Sequence, residues 1–156
     1  MKKILRKTAA LTVGLALVLG TAACNRGESA AEGGSATLAV STLNNPFFVD
    51  LRDGAQAEAE ALGLELSVVD AQNDSATQPT QLPTAGTTAS AGVIINAVDT
   101  ETAEAGLAPV VSAELPIVAV DRAVGDTKIA SFVASDNVAG GEQAAKALAE
   151  SLGGKG

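Results

Sequence analysis

Between Thr37 and Leu152 short apolar runs alternate with segments of helical length, and this alternation admits few folds. Thr37 to Thr42 (TLAVST), Leu64 to Val69, Val93 to Asn96, Ile117 to Val120 and Ala130 to Ala134 read as five strands. The third and fourth are nearly continuous apolar runs, the pattern of strands covered on both faces of a parallel sheet. Pro46 to Leu62 reads as the first helix: Asn44-Asn45-Pro46 breaks the strand before it, Pro46 suits a first helical turn, and Gly63 ends it. Phe47, Phe48, Leu51, Ala55, Ala59 and Leu62 recur at spacings of three and four, which predicts one buried face. Thr100 to Glu114 reads as a helix capped by Asp99 or Thr100 and divided at Pro109. Val138 to Leu152 reads as the last helix, capped by Asp136 or Asn137. The expected class is α/β, a doubly wound parallel sheet.

Thr77 to Ala91 (TQPTQLPTAGTTASA) fits this scheme badly, because it holds Pro79, Pro83, Gly86 and five Thr. Pro79 can open a helix, but Pro83 inside one costs ~3 kcal/mol. The expectation is a short, poorly formed helix held on by packing.

Upstream, Lys2, Lys3, Arg6 and Lys7 precede an apolar run from Ala9 to Leu19, closed by Gly20-Thr21-Ala22-Ala23-Cys24. Basic, apolar, then small residues is the plan of a secretory signal, and the run is short of the ~20 residues that cross a bilayer. Residues 1–23 are therefore read as a signal peptide, 24–36 as a flexible tether (polar and Gly-rich from Asn25 to Ser35), and 37–156 as the folded body. Leu19-Gly20-Thr21-Ala22-Ala23-Cys24 resembles the lipobox of bacterial lipoproteins, which implies a lipid on Cys24 and an anchor on the outer face of the cytoplasmic membrane. Thr21 departs from the Leu usual there, and Thr21-Ala22-Ala23 also suits ordinary signal peptidase.

Composition limits the chemistry. The chain has no His and one Cys, so it lacks the commonest general base and cannot form an internal disulfide or a thiolate zinc cluster. G-x-S-x-G, GxxxxGK[ST] and GxGxxG are all missing. The expectation is a protein that is not an enzyme and takes no cofactor and no metal. After residue 23 there are six basic and eighteen acidic residues, a net −12, which repels phosphate backbones and argues against nucleic acid as a partner.

In a doubly wound sheet ligands bind beyond the carboxyl ends of the strands. Ser41, Asn44, Asn45, Phe47 and Phe48 follow the first strand, Asn96 closes the third, and Asp121 and Arg122 follow the fourth. Amides, a carboxylate and a guanidinium match sugar hydroxyls, which both donate and accept, and aromatic rings match the C–H faces of a sugar ring. Each residue also has an ordinary role open to it. Phe47 and Phe48 suit a core, Asp121 and Arg122 a surface ion pair, and Asn96 a turn. Asp70, Asp99 and Asp136 read as turn or cap residues.

Ser41-Thr42-Leu43-Asn44-Asn45-Pro46-Phe47-Phe48 resembles the first-strand motif of the ribose-binding members of the periplasmic sugar-binding superfamily. The resemblance continues, in order, through Asp53-Gly54-Ala55, Val69-Asp70-Ala71-Gln72-Asn73, Ile94-Ile95-Asn96, Val120-Asp121-Arg122 and Ala134-Ser135-Asp136-Asn137. It implies the N-terminal lobe of a type I periplasmic binding protein, a two-lobed clamp that closes on a monosaccharide, D-ribose first, and delivers it to the permease of an ABC importer. It further implies that Phe47 and Phe48 flank the sugar ring while Asn45, Asp121 and Arg122 hold its hydroxyls. Asn96 then lines the cleft, and Ser41 contacts the sugar or shapes the first loop. Ala97 stands where the family often has Pro. Two rival readings stay open: a relative that binds another sugar or a furanosyl signal, and the ligand core of a lac-repressor-type regulator. The regulator would need a DNA-reading head where this chain has an export signal. Because Ser151 to Gly156 falls where the resemblance calls for a strand into a second lobe, the expectation is one lobe only.

Overall fold

Among the described residues the fold follows from how four helices share the two faces of one five-stranded sheet. The computed structural model describes residues 33–154, so the expected signal peptide, Cys24 and most of the expected tether lie outside the described residues. The elements are β1 (Ser35–Val40), α1 (Pro46–Ala61), β2 (Glu65–Asp70), α2 (Gln78–Thr88), β3 (Gly92–Ile95), α3 (Thr100–Ser112), β4 (Ile117–Val120), β5 (Ser131–Val133) and α4 (Asn137–Ser151). The strands pair in parallel in the order β2-β1-β3-β4-β5, with Ala36 opposite Gly92 and Val93 opposite Ile117. This is the doubly wound parallel sheet that the alternation of runs predicts. β1 starts at Ser35, inside the segment read as tether.

The core lies on the face covered by α2 and α3. Ala39, Val93, Ile95, Ile117 and Ala119 of the sheet pack there with Leu82, Ala85, Leu107 and Val110 of the helices. Because successive strand residues point to opposite faces, Leu38 and Val40 are left for the other side, where α1 lies over β1 and β2. That side is only partly closed. Ile94, Val118 and Val120 are half-buried, all three residues of β5 are exposed, and α4 buries none of its side chains. The predicted buried face of α1 is correspondingly thin: Ala59 alone is buried, while Phe47 and Leu62 are exposed. A helix resting on two strands is shielded on one side only.

α2 corrects the expectation of a poorly formed helix, for it runs eleven residues, with Pro83 inside it. Pro79 occupies the first turn, where backbone N–H groups have no helical partner, and Pro83 forfeits one bond, to the carbonyl of that same turn. Burial of Gln78, Leu82 and Ala85 offsets the loss. Close approach to α3 adds to it. A Cβ on Gly106 would stand 2.7 Å from Pro79 Cα, and one on Gly86 would stand 3.1 Å from the Val110 N, so the two glycines let these helices touch backbone to backbone. α3 likewise runs unbroken through Pro109, whose carbonyl still accepts from the Ala113 N–H at 3.0 Å.

Candidate functional site

Strand order places the switch point of the fold between β1 and β3, since the chain leaves β1 toward β2 on one side and returns to β3 on the other. The residues just beyond these carboxyl ends are Ser41 and Asn96. Both are buried, and the Ser41 N–H donates to Asn96 Oδ1 at 3.2 Å across the crevice. The other face of the same amide reaches β4, with Asn96 Nδ2 donating to the Val120 carbonyl at 3.1 Å and to Asp121 Oδ2 at 3.3 Å. Asn96 therefore sits at the cleft end of the sheet, 1% exposed, with every polar group of its side chain occupied.

Asp121 holds an unusual backbone. Its φ is +66°, and the Arg122 N–H donates to the Val120 carbonyl at 2.7 Å, so Asp121 is the middle of a three-residue turn. Such turns are strained for a residue with a Cβ, and strain of this kind gathers where a side chain is aimed for use. The turn is fixed from the side by the Asp121 N–H, which donates to the Val133 carbonyl of β5 at 2.8 Å. Arg122 folds back over the loop after β3, where its Nη1 donates to the Ala97 carbonyl at 3.0 Å and also to that of Val98. Asp121 and Arg122 form no ion pair; Arg52 with Asp53 is the one recorded among the described residues.

Asn45 opens α1. Its Oδ1 accepts from the Phe47 N–H at 3.0 Å, and its carbonyl accepts from the Phe48 N–H at 3.0 Å. Capping uses the oxygen of the amide, and its Nδ2 makes no hydrogen bond among the described residues. The two rings stand edge to face, centroids 5.1 Å apart at 80°. Phe48 is half-buried, but Phe47 is 52% exposed, so the core role does not hold for it.

Ser41, Asn96, Asp121 and Arg122 thus join one hydrogen-bonded network with the loop after β3. Asn45, Phe47 and Phe48 share the same edge of the sheet without a direct bond to that network. Asp70 accepts from the Gln72 N–H at 2.8 Å, Asp99 caps α3 and Asp136 caps α4, as turn and cap residues should. Hydrogen bonds from Thr102 hold the Asp99 carboxyl below its ordinary pKa, with a small further contribution from the nearby Arg122 charge. A recess lined by Val111, Leu115, Pro116, Ile117 and Ile129 lies at the opposite, amino end of β4, away from these groups.

Sequence reasoning missed Gln78. It is 1% exposed, its Nε2 donates to the Asn96 carbonyl at 3.0 Å and its Oε1 accepts from the Val98 N–H at 2.8 Å. The signal was present. Gln78 and Gln81, three apart in a segment of Thr, Pro and Ala, share one helix face, and Gln81 Nε2 donates to the Asp70 carbonyl at 3.0 Å.

The family model of the periplasmic binding protein domain matches residues 36–156. The ribose import binding protein of Haemophilus influenzae is 36% identical over 153 residues, 98% of this chain and 49% of that protein. That of Bacillus subtilis is 40% identical over 116 residues, 74% of this chain and 38% of that protein. The crystal structure of a Caulobacter myo-inositol binding protein bound to myo-inositol superposes with a TM-score of 0.68 at 29% identity, covering 76% of this chain and 40% of that one. The chain spans half or less of the length of these relatives. A parallel sheet in the order 2-1-3-4-5, polar side chains gathered beyond its carboxyl ends and a family match from β1 onward place this chain in the periplasmic binding protein domain family.

Proposed function

We propose that this chain forms one wall of a binding site for a neutral monosaccharide, D-ribose, which the whole protein passes to an ABC importer without chemical change. The observation that carries the reading is Asp121, a carboxylate held in a strained turn beside Arg122 at the carboxyl edge of the sheet. An acceptor and a five-donor fork on adjacent residues suit vicinal hydroxyls, and the exposed ring of Phe47 suits the C–H face of a sugar. Ribose is favoured because the two import proteins above carry its name in theirs.

A thermal-shift panel on the full-length protein tests the ligand. At a ribose concentration a hundredfold above Kd, binding adds about 2.7 kcal/mol and should raise Tm by roughly 5–10 °C. A larger shift with myo-inositol, another pentose or a furanosyl compound would move the specificity elsewhere in the family. No shift with any sugar would end the reading.

The same proposal makes the protein an exported lipoprotein, with residues 1–23 as its signal, 24–34 as its tether, the body from Ser35 at the start of β1 as its N-terminal lobe and Cys24 as its membrane anchor. Cys24→Ser should move it from the membrane pellet to the soluble fraction of a bacterial host. Equal partition of the two forms would remove the lipid and leave export standing.

A further inference from the structure

Two features of the site are unexplained by contact with a ligand: Asn96 is spent on protein groups, and Gln78 lies beneath it. We propose that Asn96, locked from below by Gln78, is the positioning residue of the sugar site and does not touch the sugar itself. The inference rests on the reading of Asp121 and Arg122 as ligand groups and adds how they are held.

Asn96 contacts three neighbouring elements. Its backbone N–H donates to the Ala39 carbonyl of β1 at 2.9 Å, and its side chain ties Ser41 of the first loop to Val120 and Asp121 of the fourth. Its carboxamide orientation is fixed by its surroundings. Turned over, the NH₂ group would meet the Ser41 N–H and the oxygen would meet the Val120 carbonyl and the Asp121 carboxylate, so all of these contacts would become repulsive. A buried side chain with no spare donor fixes the distance between the loop after β1 and the turn after β4. It also supports the Asp121 carboxylate on one oxygen, Oδ2, and leaves Oδ1 for a ligand.

Gln78 does the same for Arg122. Its amide spans the Asn96 carbonyl and the Val98 N–H, so residues 96–98 are held as if by a neighbouring strand. Carbonyls 97 and 98 in that loop carry the Arg122 Nη1. The acceptor and the donor fork of the site are therefore referenced to one buried pair of amides, and the groups that meet the sugar need little ordering when it arrives.

The test compares Asn96→Ala with Leu107→Ala, a core truncation in α3 that removes none of these bonds, in the full-length protein. Ribose titration should give at least a tenfold higher Kd for Asn96→Ala and an unchanged one for Leu107→Ala. Hydrogen–deuterium exchange of the free protein supplies the readout that general destabilisation does not mimic. Asn96→Ala should accelerate exchange in segments 41–45 and 121–124 while 93–95 and 117–119 stay protected. Acceleration spread evenly over the sheet, or none in the two loops, would overturn the positioning role. Should the unaltered protein bind no ribose, the ligand reading fails, and the exchange pattern alone decides for or against the network.

Discussion

Asp121→Gly in the full-length protein should weaken ribose binding by about thirtyfold or more while leaving Tm unchanged or higher. Two effects separate here. Removing the carboxylate strands the sugar hydroxyls it would accept from, a loss of about 2–5 kcal/mol for a charged partner enclosed together with the ligand. Folding responds differently, because φ at this position is +66° and glycine reaches that region at no steric cost. Relief of the turn offsets the lost 3.3 Å bond to Asn96 and the greater freedom of glycine in the unfolded chain. Calorimetry with ribose and a thermal melt on one sample measure both. Affinity within threefold of the parent would mean that the strained turn serves the fold and not the ligand.

Gly92→Ala is expected to do the reverse and cost about 2–5 kcal/mol of stability. Gly92 has a φ of +147°, and a Cβ built on it stands 2.7 Å from the Pro116 O and 2.9 Å from Pro116 Cγ. The Pro116 carbonyl cannot retreat freely, since it accepts from the Val93 N–H at 2.9 Å and so starts the β3–β4 ladder. Backbone strain and overpacking therefore add, against a total of about 5–15 kcal/mol for an ordinary domain. Gly54→Ala is the control. It lies within α1, nothing stands within 4 Å of its added Cβ, and it should stabilise by roughly 0.5–1 kcal/mol. Urea midpoints that moved equally for the two variants would refute the steric account.

The strands were legible because continuous apolar runs such as Val93 to Ile95 are rare outside buried sheets, and Asn44-Asn45-Pro46 announced α1 by breaking the strand before it and supplying Pro46 for its first turn. The residues beyond the strand ends could be named for the same reason: topology alone decides where such side chains converge. Their division of labour could not be read. Asn96 looked like a cleft residue, but only its neighbours reveal that both Nδ2 hydrogens and Oδ1 are already bonded. α2 was misjudged because propensity counts Pro83 as a loss and is blind to the Gly86 and Gly106 contacts that compensate for it. The thin cover of α1 was equally hidden, since an apolar stripe reports what a helix could bury and not how much sheet lies beneath it.

The position of β1 has a consequence for synthesis. Among the described strands it is the first made, yet it sits between β2 and β3, both of which follow it. Ser41 and Asn96, which close the two sides of the switch point, are 55 residues apart in sequence. At roughly 5–20 residues per second, a ribosome needs about 3–10 s to cover that interval. For that time β1, whose residues 36 to 40 are all buried in the finished sheet, has at most one partner edge. The edge of β1 that β3 will occupy thus stays open until the third strand exists, and slower translation through α2 would lengthen that exposure.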